Sequence, residues 1–135
     1  MLGEMLGEDR GQITNTRVLP TEPGQPPRVE ISFEANGTIL GVDGREMATY
    51  CAVPRPDGTL FGEGQGVIMS NEGDMATWRG QGVGRITQSG TTEFRGAIYF
   101  QTASPKWARL NEVAAVYEYS ADESGKTESK LWAWC

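Results

Sequence analysis

Histidine is absent from this chain, so a Ser–His–Asp triad and the common zinc sets lack a donor they need. Two cysteines, Cys51 and Cys135, stand far apart without metal-ligand spacing, and neither a metal nor an organic cofactor is expected. What remains for proton transfer is a carboxyl or a phenol held out of water, because burial raises a carboxyl's pKa into the range where it exchanges protons. Glu46 is the catalytic candidate, since the strand register derived below puts it on the inner face beside Ile68. Its place near a strand end would equally let it reach solvent as an ordinary surface acid. Tyr50, Trp78, Phe100, Tyr117 and Tyr119 are the ligand-binding candidates, an aromatic wall carrying three hydroxyls. The opposing reading is that such rings, with Phe94, simply lie across glycines and fill the interior.

Gly62-Glu63-Gly64-Gln65-Gly66 and Gly80-Gln81-Gly82-Val83-Gly84 have the glycine density of a phosphate-cradling loop. Neither run opens a helix and neither carries the lysine such a loop needs, so nucleotide binding is not expected. The shared Gly-Gln-Gly-Val string marks paired strands. Glycines stacked there tighten the coil of a sheet and remove interior side-chain volume.

The elements that must position these residues are legible from turns. Three-residue turns ending in glycine recur at Pro56-Asp57-Gly58, Asn71-Glu72-Gly73, Gln88-Ser89-Gly90 and Glu123-Ser124-Gly125, with a fifth expected at Val42-Asp43-Gly44. A type I turn followed by a left-handed residue closes a hairpin and takes glycine at that last position. Strands are therefore expected at about Gly7–Leu19, Arg28–Leu40, Arg45–Arg55, Thr59–Ser70, Asp74–Thr87, Thr91–Thr102, Glu112–Asp122 and Lys126–Trp134. Pro20 to Pro27 reads as a loop, and Ala103 to Asn111 as a connector with one short helical turn. Eight long strands leave unpaired edges unless the sheet closes. The expected fold is all-β: an eight-stranded antiparallel up-and-down barrel, one domain over residues 1–135, with a sandwich as the competing arrangement.

Each turn also fixes a register, because the residues flanking a three-residue loop pair. Counting from the Asn71 turn sets Gly66 opposite Trp78, Gly64 opposite Gly80 and Gly62 opposite Gly82. The Gln88 turn sets Trp78 opposite Phe100 and Gly84 opposite Phe94. The Pro56 turn sets Tyr50 beside Gly64 and Glu46 beside Ile68, and the Glu123 turn sets Tyr119 by Ser129 and Tyr117 by Leu131. All four place an apolar, glycine-rich face on one side and Glu63, Gln65, Arg79, Arg85, Glu93 and Arg95 on the other, so the glycine side is the interior. The connector with Lys106, Trp107 and Arg109 should close the barrel end that would carry a mouth.

The net charge of −6 and only twelve scattered Lys and Arg argue against nucleic acid as a partner. Met1 to Gly11 holds Glu4, Glu8 and Asp9 and no continuous apolar stretch, so neither a signal peptide nor a membrane span is expected, and a cytoplasmic location follows. On the outer face, Met47, Val53, Phe61, Val67, Met69 and Met75 align on strands three to five, and Val116, Trp132 and Trp134 on seven and eight. Contiguous apolar surface of this kind marks a homo-oligomer.

With a glycine-rich interior inside an eight-strand meander, and on the stretches Gly62–Met69, Trp78–Ile86 and Leu110–Tyr119, the chain resembles the small barrels of the allene oxide cyclase and dirigent kind. The resemblance is one of architecture and size, and carries no catalytic residue across. It implies a barrel enclosing a small apolar molecule, in some cases steering a cyclisation by shape, without cofactor. Two functions stand side by side: binding of a small apolar or aromatic molecule, with a cofactor-independent isomerase or cyclase as its enzymatic form, or a non-enzymatic assembly protein whose barrel is filled.

Overall fold

A computed structural model describes residues 2–135. Eight strands run in order: β1 (Leu2–Leu19), β2 (Arg28–Ile39), β3 (Val42–Pro54), β4 (Leu60–Ser70), β5 (Met75–Ile86), β6 (Thr92–Thr102), β7 (Ala114–Ala121) and β8 (Lys126–Trp134), with a 3₁₀ segment, Pro105–Glu112, between β6 and β7. Each strand pairs antiparallel with its neighbours in sequence, and β1 pairs with β8, so the sheet is a closed barrel without edges. None of its helices is long and apolar enough to cross a membrane.

The four glycine turns form as the sequence requires. Gly58, Gly73, Gly90 and Gly125 have φ between 84° and 92°, and each hairpin closes with the same backbone pair, as in Ser70 N–H to Asp74 O at 3.0 Å and Gly73 N–H to Ser70 O at 3.3 Å. The registers counted from them are the observed ones, including Gly64↔Gly80, Trp78↔Phe100, Tyr50↔Gly64, Glu46↔Ile68 and Tyr119↔Ser129.

The fifth turn differs. It lies at Leu40-Gly41, not Val42-Asp43-Gly44: Ile39 pairs with Val42, and both central residues have positive φ, 49° and 77°. Such a two-residue turn matches the twist of its strands but ordinarily carries Asn or Gly first. Leu40 takes the position because its N–H donates to Leu6 O at 2.8 Å and its side chain packs on the core. Gly44 is consequently a strand residue facing Gly37. The first strand also starts earlier than the expected Gly7, at Leu2, and a bulge between Ile13 and Asn15 absorbs one residue of its pairing with β2.

Two apolar layers fill the barrel. One, built on Leu6, Ile68, Ile98, Phe100 and Leu131, is plugged by Trp107 and Leu110, both 0% exposed. The connector thus closes the end where a mouth was expected. Trp107 Nε1–H donates to Ile39 O at 3.3 Å, Ser104 Oγ–H donates to Asp74 Oδ1 at 2.6 Å, and the Asn111 amide exchanges two hydrogen bonds with the backbone of Thr102. The other layer holds Phe33, Ala35, Ala48, Phe94, Tyr119 and Ala121. Trp78 and Tyr117 pack against both layers and mark the seam between them.

Candidate functional site

One rung of the barrel carries three of the polar side chains in that seam. Asp9 of β1 lies opposite Gly37 on β2 and opposite Ser129 on β8, and Ser129 in turn lies opposite Tyr119 on β7. The parity of β1, with Gly7, Asp9, Gly11 and Ile13 paired to the inward residues Ile39, Gly37, Ala35 and Phe33, turns the Asp9 carboxyl into the barrel. Gly37 makes this possible: a Cβ on it would come within 2.6 Å of the Asp9 Cα. No backbone as close as that of β1 to β2 tolerates a side chain there.

Glu46 projects inward from β3, where it pairs with Ala35 and Ile68. It is 8% exposed, so it does not reach solvent from its strand. Trp78 Nε1–H donates to Glu46 Oε2 at 2.7 Å, and the Glu46 and Asp9 carboxyls lie within hydrogen-bonding reach of one another. Desolvation, and after it the negative charge of Asp9, holds the Glu46 pKa well above the carboxylate range. Burial raises that of Asp9 too, offset in part by hydrogen bonds from Glu46 and Ser129. Asp9 Oδ1 is buried with no N–H or hydroxyl partner. A proton carried by Glu46 and shared with Asp9 resolves both facts: one charge, not two, sits in the low-dielectric interior. The Trp78 indole is the one N–H that the described residues donate to the four carboxyl oxygens, so the pair keeps acceptor capacity toward its surroundings.

Those surroundings are a cavity of about 80 Å³ bounded by Asp9, Glu46, Trp78, Tyr50, Tyr117 and Tyr119. No Lys or Arg is among the described residues that line it. The Tyr50 and Tyr119 hydroxyls are 3.1 Å apart, and their rings meet edge-on with centroids 5.4 Å apart, while Phe33 and Phe94 pack around them. Burial keeps all three phenols neutral, raising Tyr50 and Tyr119 and pushing Tyr117 up to about 12.

The structure brings Glu46, Tyr50, Trp78, Tyr117 and Tyr119 to one cavity and leaves Phe100 out of it. Phe100 is 6% exposed in the plugged layer beside Trp107. Two of the glycines serve as beds for rings, and a third lies against the base of a tyrosine side chain. A Cβ on Gly62 would meet Phe94 at 2.9 Å, one on Gly64 would meet the Tyr50 Cβ at 2.7 Å, and one on Gly66 would meet the Trp78 indole at 2.5 Å. Gly80 has Ala97 O at 3.1 Å and Ile98 as its nearest neighbours, and it lines the cavity together with Gly62 and Gly64.

Asp9 and Ser129 were missed as site residues. A signal for Asp9 exists: it sits between Gly7 and Gly11 in the same parity, and glycine parity marks the inner face on the other strands. No turn-derived register covered β1, so that parity had nothing to anchor it. Of the outer-face residues, Met47, Met69, Met75 and Trp134 are exposed, while Val53, Phe61, Val67, Val116 and Trp132 are half-buried. Cys51 and Cys135 are free thiols.

No protein-family model and no curated protein matches the chain. Solved structures do match. A protein of unknown function from Clostridium acetobutylicum superposes with a TM-score of 0.83 at 16% identity, over 98% of both chains. A β-barrel-like protein from Acinetobacter baumannii gives 0.80 at 14%, over 96% of this chain and 93% of that one. An enzyme from Penicillium herquei gives 0.69 at 16%, over 96% and 92%. At these identities the likeness is one of fold: the chain shares its whole barrel with these proteins.

Proposed function

We propose that the barrel binds one small, neutral, mainly apolar or aromatic molecule between its two core layers, and that the Glu46–Asp9 pair moves a proton on it without a cofactor, as an isomerase or cyclase does. The observation that carries this reading is the pair itself. Two buried carboxyls with no cation beside them are costly to the fold, and they face a cavity instead of being packed over. A carboxyl whose pKa is raised by burial is suited to give and take protons. The likeness in size and layout to allene oxide cyclase and dirigent barrels supports an enclosed apolar ligand, and one structural neighbour is described as an enzyme. Tyr50, Trp78, Tyr117 and Tyr119 are the wall in this reading.

Calorimetric titration with toluene, an uncharged single-ring probe, tests it. Wild-type protein should bind saturably with one site per chain. Gly80→Val should abolish binding, because its added methyl groups project into the cavity while the Trp78 and Tyr50 beds stay intact. Equal binding by the variant, or none by the wild type, would remove the cavity from the account. A homo-oligomer is proposed beside it, resting on the exposed apolar side chains of β3, β4, β5 and β8.

A further inference from the structure

The cavity has two chemically opposite walls. On one, the Asp9–Glu46 pair offers acceptor oxygens and, in Asp9, a carboxylate. On the other, Tyr50 and Tyr119 share one hydrogen bond between two hydroxyls, which uses one of their two protons and leaves the other to donate, and the Tyr117 hydroxyl makes no hydrogen bond among the described residues. Asp9 and Tyr119 stand on the same rung with only Ser129 between them, so two strand spacings, roughly 10 Å, separate their Cα atoms. Both side chains line the cavity, as does Ser129 on the strand between them. A molecule held between them meets a base at one edge and neutral O–H donors at the other. With no cation on the wall, phosphate and carboxylate ligands are disfavoured.

Resting on the proposed function, we infer that the ligand class is a neutral, enolisable carbonyl compound, a cyclic or aryl ketone or lactone, and that Asp9 is the base and the Tyr50–Tyr119 hydroxyls the oxygen-binding group. The step balances within the cavity. The Asp9 carboxylate takes a proton from the carbon next to the carbonyl, the C–H electron pair becomes the new C=C bond, and the carbonyl π pair moves onto oxygen. That oxygen accepts the tyrosine hydrogen bond. The carboxyl pair, now holding two protons, returns one to the same carbon, giving exchange, or to the γ carbon of an unsaturated ketone, giving a shifted double bond. One negative charge moves from the pair to the ligand oxygen and back, so the interior never holds a second.

The test is deuterium uptake by cyclohexanone in D₂O, followed by proton NMR, with toluene binding measured on the same proteins. Wild type should accelerate exchange at the carbons beside the carbonyl by about 100-fold or more over Asp9→Asn, the scale of a positioned general base. Asp9→Asn should still bind toluene, which shows that it is folded. Tyr119→Phe should weaken cyclohexanone by about 10-fold and change toluene by less than about twofold, a loss on the scale of one buried hydrogen bond. Toluene binding without protein-dependent exchange would overturn the carbonyl assignment and leave the apolar pocket standing. Absence of toluene binding by wild type would take down the pocket and this inference with it. Exchange surviving in Asp9→Asn but lost in Glu46→Gln would reassign the base and overturn the role given to Asp9.

Discussion

A carboxyl pair buried without a cation leaves its mark on stability, and the sign follows from where the protons are. In the unfolded chain Asp9 and Glu46 lose their protons near pH 4. In the folded protein both pKa values are raised, Glu46 most, by desolvation and then by the Asp9 charge. Between the unfolded values and the raised folded ones the native state therefore binds more protons, so its stability falls as pH rises through that window. Glu46→Gln keeps an oxygen for Trp78 Nε1–H and an N–H for Asp9 while removing the ionisable group. Urea unfolding should find the variant more stable than wild type at pH 9, by about 1–3 kcal/mol, with the gap closing toward pH 4. A variant less stable across the whole range would mean that Glu46 is ionised and held by charge. The residue scale is also where sequence reasoning was weakest. Glu46 was legible because a turn fixed its register, whereas Asp9 needed the closure of β1 on both β2 and β8, which no local signal contains.

The hairpins of β3 to β8 could be counted residue by residue, since a glycine at positive φ leaves one choice of pairing on either side of it. Where the turn was made instead by Leu40 and Gly41, tertiary packing of Leu40 against the plugged layer overrode the usual turn chemistry, and the boundary moved. The meaning of the interior glycines was half legible: their face was right, but Phe94 lies over Gly62 and the Trp78 indole over Gly66, so rings fill part of the space that the glycines free. On the outer side, β8 ends in Trp134, 66% exposed, beside the half-buried Trp132. An indole so placed is an anchor of the kind that dominates interfaces. If it is one here, Trp134→Ser should shift sedimentation of the protein toward the monomer while leaving its far-ultraviolet circular dichroism unchanged. An unchanged sedimentation coefficient would remove β8 from the interface.

At the scale of the whole molecule, closure does two things at once. It removes the edges that eight long strands would otherwise expose, and it sets Ser129 of β8 beside Asp9, whose carboxyl already faces Glu46 across β2. The plug of Trp107 and Leu110 seals one end, the ring cluster of Phe33, Phe94 and Tyr119 packs toward the other, and the polar seam lies between them, with Glu46 buried and Asp9, Tyr50, Trp78 and Tyr117 half-buried. A pocket in this place strengthens every electrostatic contact made inside it. The most direct test of the carboxyl pair is a carbon-13 NMR titration of the side chains of Asp9 and Glu46, assigned with Asp9→Asn and Glu46→Gln. A Glu46 carboxyl still protonated at neutral pH, with an Asp9 signal that shifts in step with it, is the expected result. Two carboxyls titrating independently near pH 4 would contradict it.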